Sequence, residues 1–281
     1  MTVREMLHES TQRLQKAQVE LPHLDALLLA SQVMQCSKEQ VYVSYPDEID
    51  PALYIEVMQL IEQRCTGIPV SYLRRKKDFY NNEFYVDSRV LVPRPDTEII
   101  VDAVKEFILQ RGGTGQVLDL CTGSGCIAIT LAELLPAVHI TGADISSDAG
   151  EVFLRNAEAI LGKPLPFVCT DLFSNIQGKY DCIVANPPYV TTFEVEEMIN
   201  RGWPEPVLAL DGGPDGTDFL CRIIKQAPQY LNHNGALFCE AAGPQMGKLK
   251  DIMEKEKYID IELFSDLGGR ERVIRGIWQD K

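Results

Sequence analysis

From Gly115 to Trp278 the sequence alternates short apolar runs with segments whose apolar residues recur at helical spacing. Runs rich in β-branched residues, such as 180–185, are typical of buried strands. Strands that alternate with helices indicate an α/β fold with a largely parallel, doubly wound sheet, because each crossover helix returns the chain to the same end of the sheet. The pattern predicts seven strands, over residues 116–120, 138–142, 166–169, 180–185, 235–239, 259–264 and 273–278.

Residues 1–77 carry helical spacing only and predict a small all-helical domain. Helix starts are predicted at Pro22, at Ser37 with Gln40, and at Asp50 before Pro51. Gly67 and Pro69 predict the end of the last helix. We predict that a β-hairpin linker follows over 78–95, turning at the asparagines of 79–86, and that 96–281 form the second domain. There we expect Thr97 to cap a helix over 99–109. Arg94 could pair with an anionic ligand or with a surface carboxylate, and we expect the carboxylate.

The formal net charge of −14 bears on the class of partner. Residues 1–77 hold nine Lys or Arg and ten Asp or Glu, a net of −1, so residues 78–281 carry −13. Proteins that follow a phosphate backbone usually present a basic face, so this acidity disfavours duplex nucleic acid and favours a basic protein surface. Acidity that serves only solubility is the alternative.

Targeting and metal-binding patterns are both missing from the sequence. Residues 1–20 lack the apolar core of a signal peptide, and no stretch reaches the roughly 20 apolar residues of a membrane span. The eight cysteines form no C-x-x-C pair, and the four histidines share no ligand spacing with them. We therefore expect a cytoplasmic protein with no membrane contact and no metal. We also expect a monomer.

A glycine-containing turn follows the first strand of the predicted sheet and opens its first helix. It runs Asp119-Leu-Cys121-Thr122-Gly123-Ser124-Gly125. Glycines let a backbone approach a ligand closely, and a helix N-terminus offers free N–H groups. Asp144 ends the next strand about 20 residues later, where a carboxylate can accept from a ribose diol. The two features together predict an adenosine-containing cofactor.

The turn also bears on which cofactor binds. A pyrophosphate binder calls for G-x-G-x-x-G, whereas Gly123 and Gly125 are followed by Cys-Ile-Ala. The acid at Asp119 suits the cationic methionine part of S-adenosylmethionine better than it suits a pyrophosphate. Asp171 after the third strand would then accept from the adenine amino group, with Leu172 against the ring. A helix N-cap is the alternative role for Asp171.

A second chemistry-bearing segment, Asn186-Pro187-Pro188-Tyr189, follows the strand over 180–185. Two prolines stiffen the loop and remove two backbone donors, Asn186 adds an amide, and Tyr189 adds an aromatic face with a polar tip. The segment resembles a clamp for a flat, amide-like group at the carboxyl edge of the sheet, where such folds bind ligands. A proline-rich turn without function is the alternative.

With the glycine turn, this tetrapeptide resembles the signature of class I methyltransferases with a Rossmann-like sheet that modify amide or exocyclic nitrogens. The whole chain is similar to the release factor glutamine methyltransferases. The resemblance implies S-adenosylmethionine as cofactor and the glutamine of the Gly-Gly-Gln loop of class 1 peptide chain release factors as methyl acceptor. Cys121 departs from it, because the family usually has glycine there. The matching segments are 67–72, 92–98, 117–120, 186–189, 205–206 with 209–210, 212–216 and 270–273.

A mechanism follows for such a site. An amide nitrogen is a poor nucleophile, so the site must orient it. We predict that the Asn186 side-chain oxygen and the Pro187 carbonyl accept the two amide hydrogens, while Pro188 and Tyr189 pack against the amide plane.

An adenine-N6 nucleic-acid methyltransferase is the alternative activity, since the same clamp can hold an exocyclic amine. A third hypothesis is a scaffold that binds the cofactor without catalysing a reaction. We expect residues 1–77 to contact the protein substrate, or else to stabilise the hairpin.

Overall fold

The computed structural model describes residues 1–280. The chain divides into two compact units, of which the first comprises residues 1–76 with 198–204 and the second comprises residues 77–197 with 205 onwards. Among residues 1–280, no helix is both long enough and apolar enough to cross a membrane.

The first unit is helical, and local sequence signals explain where its helices begin. Thr2 and Ser37 each form a capping box, Asp50 accepts from Ala52 N at 2.7 Å, and Pro22 occupies a first helical position. A short helix follows Pro69 that the sequence analysis did not predict. The helices are α1 (Val3–Lys16), α2 (Pro22–Val33), α3 (Lys38–Val43), α4 (Pro51–Cys65) and α5 (Val70–Arg74).

Apolar faces of these helices share one core. Met6, Leu14 and Leu29 are fully buried, together with Val57 and Ile61 from α4. Residues on one helix face at three- and four-residue spacing meet the same neighbours, so the spacing in the sequence becomes a single packed cluster.

The second unit begins with a hairpin of two strands, β1 (Lys77–Phe79) and β2 (Asn82–Phe84). Phe79 and Phe84 pack edge to face with ring centroids 6.0 Å apart. After them come helices α6 (Glu98–Gln110), α7 (Cys126–Leu134), α8 (Ser147–Leu161), α9 (Thr192–Asn200), α10 (Asp218–Gln226) and α11 (Met246–Lys255), and strands β3 (Gly115–Leu120), β4 (Val138–Asp144), β5 (Phe167–Cys169), β6 (Tyr180–Ala185), β7 (Leu231–Glu240), β8 (Ile259–Ser265) and β9 (Glu271–Ile277). All of them belong to the second unit except the end of α9, residues 198–200, which belongs to the first.

The seven strands of the large sheet lie in the order β5-β4-β3-β6-β7-β9-β8. All neighbouring pairs from β5 to β7 are parallel, and β9 runs antiparallel to both β7 and β8. The chain moves outward through β4 and β5 on one side of β3, then returns to place β6 on the other side. The order therefore reverses between β3 and β6, which makes this boundary the switch point where such sheets bind ligands.

Apolar residues on the two faces of the sheet belong to two separate cores. One core packs α6, α7 and α8 against residues such as Val117 and Val184, and the other packs α10 and α11 against their neighbours Leu118 and Ile183. Successive strand residues point to opposite faces, so adjacent residues enter different cores. The predicted α/β fold, its seven strands, the helical N-terminal region and the hairpin are confirmed.

One local prediction was wrong. A single 3₁₀ turn over Pro95–Thr97 precedes α6, and the Thr97 side chain caps no helix. Thr97 is almost fully buried, and its hydroxyl accepts a hydrogen bond from Asn186 Nδ2 at 3.3 Å. A long-range contact thus replaces the local one that the sequence pattern suggested.

Close packing of α8 against β5 predicts the effect of a matched pair of glycine substitutions. A Cβ on Gly150 would stand 2.5 Å from Phe167 Cζ, whereas a Cβ on Gly247 in α11 would meet no atom within 4 Å. We expect Gly150→Ala to lower the free energy of unfolding by about 1–3 kcal/mol through overpacking. Gly247→Ala should raise it by up to about 1 kcal/mol through helix propensity. Urea unfolding of both variants measures the two changes, and an equal effect at both positions would contradict this packing.

Candidate active site at the sheet switch point

Parallel pairing of β3 with β6 brings the two predicted motifs to one edge. Leu120 lies opposite Ala185 in the ladder, so the turn that starts at Cys121 and the loop that starts at Asn186 leave the sheet side by side. Both motifs border one cavity of about 310 Å³. Its lining includes Cys121, Thr122, Gly123, Ser124, Asp144, Asp171, Leu172, Asn186 and Pro188, with Arg94 and Thr97 from the segment before α6.

Backbone geometry explains the glycine turn. Gly123 has φ +53° and Gly125 has φ +83°, a left-handed region that glycine enters without a Cβ penalty. A Cβ on Gly123 would meet no atom within 4 Å, so this peptide borders open space, whereas one on Gly125 would stand 2.6 Å from Phe153 Cδ2. Cys121 also has a positive φ, +58°, a conformation that costs a residue with a Cβ more than it costs glycine.

Asp119 lies behind the turn, outside the cavity lining. Its carboxyl is fully buried, and Oδ2 accepts from Thr122 Oγ1 at 2.6 Å and from Ala128 N at 3.2 Å. Burial raises the pKa of Asp119 to about 7, against the two hydrogen bonds, which lower it. Oδ1 has no hydrogen-bond partner within residues 1–280. The geometry therefore gives Asp119 a role in shaping the turn and the start of α7, in place of the predicted direct contact with a cofactor.

Asp144 stands at the end of β4 with its carboxyl in the cavity wall. Oδ2 accepts from Gly123 N at 2.9 Å and Oδ1 from Ser146 N at 3.0 Å. Burial raises the pKa of this carboxyl, and the backbone hydrogen bonds act in the opposite direction. Each oxygen keeps a second lone pair, so the group can accept from a ligand diol while it remains fixed by the turn.

Asp171 and Leu172 border the cavity beyond β5. Asp171 is half exposed and forms an ion pair with Arg222 Nη2 at 2.9 Å, while Leu172 is almost fully buried. The Asp171 side chain therefore has a partner already, and this partner holds it at the rim. Within the described chain it caps no helix, the alternative that its sequence position left open.

The tetrapeptide divides into two parts. Asn186 and Pro188 line the cavity, whereas Pro187 is buried and Tyr189 turns its hydroxyl inward to donate to Glu240 Oε1 at 3.2 Å. Burial and the nearby Glu240 carboxyl raise the pKa of Tyr189. This placement differs from the expectation that the Tyr189 ring packs against a ligand amide.

The loop is held from outside by a glycine-rich segment over 212–216. Gln245 Nε2 donates to Tyr189 O at 2.9 Å and to Gly216 O at 3.1 Å, and Gly212 N donates to Val190 O at 2.8 Å. A Cβ on Gly212 would lie 2.7 Å from Pro188 O, so only glycine permits this approach. The segment was recognised in the sequence as part of the resemblance, but nothing local in it indicated contact with the loop.

Arg94 pairs with a buried carboxylate, and the prediction of a surface partner was wrong. Its Nη2 donates to Glu205 Oε2, and only 1% of the Glu205 side chain is exposed. Glu205 Oε1 also accepts from Val92 N at 2.9 Å. Glu205 therefore fixes both the backbone before α6 and an arginine that borders the cavity.

Comparisons with known proteins find two family models and full-length relatives that match this chain. A family model described as the PrmC N-terminal domain matches residues 5–74, and one described as the methyltransferase small domain matches residues 97–202. A release factor glutamine methyltransferase of Rhodopirellula baltica is 33% identical, covering 97% of this chain and 95% of its own. A protein of the same name from Moorella thermoacetica is 34% identical, covering 97% of each chain.

A solved structure supports the fold alone. A 16S rRNA methyltransferase of T. thermophilus, in complex with AdoMet and guanosine, superposes with a TM-score of 0.55 at 17% identity. It covers 73% of this chain, which spans 50% of that one.

The buried Asp119 carboxyl predicts a pH dependence of stability. The folded-state pKa near 7 lies above the usual value of an aspartate, so the folded state holds this proton more tightly than the unfolded chain does. The free energy of unfolding is therefore highest at low pH and falls as pH rises to and through 7. We expect Asp119→Asn, which keeps an acceptor of similar shape, to reduce the fall in unfolding free energy between pH 5 and pH 8 by roughly 1–3 kcal/mol.

Asp251→Asn on the exposed face of α11 removes the same charge and provides the control. Urea unfolding at both pH values should show the wild-type slope in this variant. An unchanged slope in Asp119→Asn would contradict the account of the buried carboxyl.

Proposed function

We propose, because the chain belongs to the family of release factor glutamine methyltransferases, that it transfers a methyl group from S-adenosylmethionine to the side-chain amide nitrogen of a glutamine in a peptide chain release factor. The observation that carries this proposal is the adjacency of the glycine turn and the loop 186–189 at one cavity. Cofactor and acceptor groups must meet within bonding distance, and this edge brings the two motifs together.

The residues at the cavity fit the cofactor. The peptide at Gly123 borders open space, Asp144 offers carboxylate oxygens to a ribose diol, and Leu172 forms an apolar wall. When bound, S-adenosylmethionine supplies an electrophilic methyl group on a positively charged sulfur. Asp144 and Asp171 favour such a charge, although Asp171 also holds Arg222.

The loop 186–189 is proposed to orient the acceptor amide. Asn186 Nδ2 is turned toward Thr97, so the opposite end of its planar amide, Oδ1, is the end that can accept a substrate N–H. The Pro187 carbonyl, which lies in the chain between two cavity-lining residues, is the proposed second acceptor. Two acceptors turn the nitrogen toward the methyl donor and favour the positive charge that it gains. The methylated nitrogen loses one of its protons during or after the transfer, which gives the neutral methylated amide.

Pro188 excludes water at the cavity wall, and Tyr189 acts from behind by holding the loop to Glu240. Such positioning is worth roughly 7–11 kcal/mol in well-oriented reactions, so no strong general base is required.

We further propose that residues 1–77 contact the substrate protein. The alternative, methylation of adenine in nucleic acid, is disfavoured by the charge of −14.

A labelling experiment tests the proposed function. The full chain is incubated with methyl-labelled S-adenosylmethionine and either a class 1 release factor or adenine-containing duplex DNA. We expect the label on one release-factor glutamine, located by mass spectrometry in the Gly-Gly-Gln loop, and none on the DNA. Label on the DNA alone, or on neither, would overturn the proposal.

Two variants separate the binding of the cofactor from the orientation of the amide. Asn186→Ala should lower turnover by about 10²–10³-fold, the typical cost of one stabilising hydrogen bond at a reacting centre, and change cofactor affinity by no more than severalfold. Asp144→Ala should weaken cofactor binding at least tenfold by calorimetry. Near-normal turnover in Asn186→Ala, or unchanged affinity in Asp144→Ala, would show that the roles are misassigned.

A further inference from the structure

A buried carboxyl lies behind the proposed amide site, and its only role so far is to anchor the Tyr189 hydroxyl. Glu240 is the last residue of β7 and is 1% exposed. Its Oε1 accepts from the Tyr189 hydroxyl at 3.2 Å, and its Oε2 has no hydrogen-bond partner within residues 1–280. An incompletely satisfied carboxyl in the interior costs stability, so its position invites a functional explanation.

Thr97 connects this carboxyl to the loop. The Thr97 hydroxyl accepts from Asn186 Nδ2 at 3.3 Å, and it lies close enough to the Glu240 carboxyl to lower the pKa of that group. A hydroxyl has one proton to donate. Because Thr97 accepts from Asn186, that proton is free for Glu240, whose buried Oε2 has no other partner within residues 1–280. The donors then run in one direction, from Asn186 through Thr97 to Glu240.

The direction of these hydrogen bonds decides which end of the Asn186 amide faces a ligand. An ionised carboxylate only accepts hydrogen bonds, so a hydroxyl that bonds Glu240, whether that of Tyr189 or that of Thr97, must donate to it. The Asn186 nitrogen is then committed to Thr97, and its oxygen remains for the cavity that Asn186 lines. An acceptor at this point is what a substrate amide with two N–H groups requires.

We propose that Glu240 is a positioning residue for methyl transfer, which sets the orientation of the Asn186 amide through Thr97 and anchors the loop 186–189 through the Tyr189 hydroxyl. This inference rests on the proposed function, because it concerns the same amide site. Glu240 touches neither substrate nor cofactor in this arrangement, and it acts only through its two hydroxyl partners.

Protonation of Glu240 would reverse the direction of these hydrogen bonds. Burial raises the pKa of Glu240 to about 7, with Asp96 acting in the same direction and the hydroxyls of Thr97 and Tyr189, together with Arg272, opposing it. The thiol of Cys126 in α7 also senses this carboxyl: burial, Asp119 and Glu240 all raise its pKa. A protonated Glu240 can donate to Thr97, whose hydroxyl can then donate to the Asn186 oxygen. Asn186 would present donors to the substrate, and turnover should fall as pH drops below 7.

Substitution of Glu240 in the full chain tests the proposal. Glu240→Gln keeps the shape but offers one acceptor and one donor, so it no longer enforces a direction. We expect kcat on the release factor to fall more than tenfold, with cofactor affinity by calorimetry within about twofold of wild type. The rise of wild-type kcat between pH 6 and pH 8 should flatten in this variant. Glu254→Gln on the exposed face of α11 is the matched control and should behave as wild type.

A second pair of variants keeps the test decisive if Glu240→Gln does not fold. Thr97→Val removes the hydroxyl at nearly constant shape and should reproduce the loss, whereas Thr97→Ser retains the hydroxyl and should keep most of kcat and the pH dependence. Wild-type kcat and pH profile in Glu240→Gln, or equal kcat in Thr97→Val and Thr97→Ser, would overturn the positioning role. Failure of the proposed function is distinguishable, because wild type itself would then not methylate the release factor.

Discussion

Parallel pairing of Leu120 with Ala185 is the contact on which the site depends. The glycine turn and the loop 186–189 are 60 or more positions apart in sequence, yet both begin at the carboxyl ends of neighbouring strands. The order of the sheet reverses between these strands, so no crossover helix covers the edge and a cavity remains. The two apolar cores hold the strands from both faces, and small changes in their packing would move both motifs together.

Buried carboxyls form a second layer behind this edge. Asp119 supports the glycine turn, Glu205 supports the backbone before α6, and Glu240 supports the loop. Carboxylates that accept from backbone and hydroxyl groups fix the direction of those hydrogen bonds as well as their length. Burial raises the pKa values of Asp119 and Glu240 to about 7, so stability near these sites decreases as pH rises through neutrality.

Regular periodicity made the fold predictable, because strand alternation and helix caps are local properties of the sequence. The same is true of the two motifs, whose positions at strand ends follow from the strand pattern. Contacts between distant residues were not predictable. Thr97 has the residue type and position of a helix cap, but its hydroxyl bonds Asn186. Arg94 pairs with the buried Glu205 and not with a surface carboxylate. In both cases a partner distant in sequence replaces the local one. Asp119 was assigned to the ligand side of its turn because the sequence gives no sign of which face of the turn is buried.

The central claim is that Asn186 presents an acceptor oxygen to a substrate amide beside the bound cofactor. A crystal structure of the full chain with S-adenosylhomocysteine and a glutamine-bearing release-factor peptide tests it most directly. The account predicts the glutamine amide nitrogen within about 3 Å of Asn186 Oδ1, with Asn186 Nδ2 on Thr97. A glutamine bound away from the loop 186–189, or an Asn186 amide turned with its nitrogen toward the substrate, would contradict it.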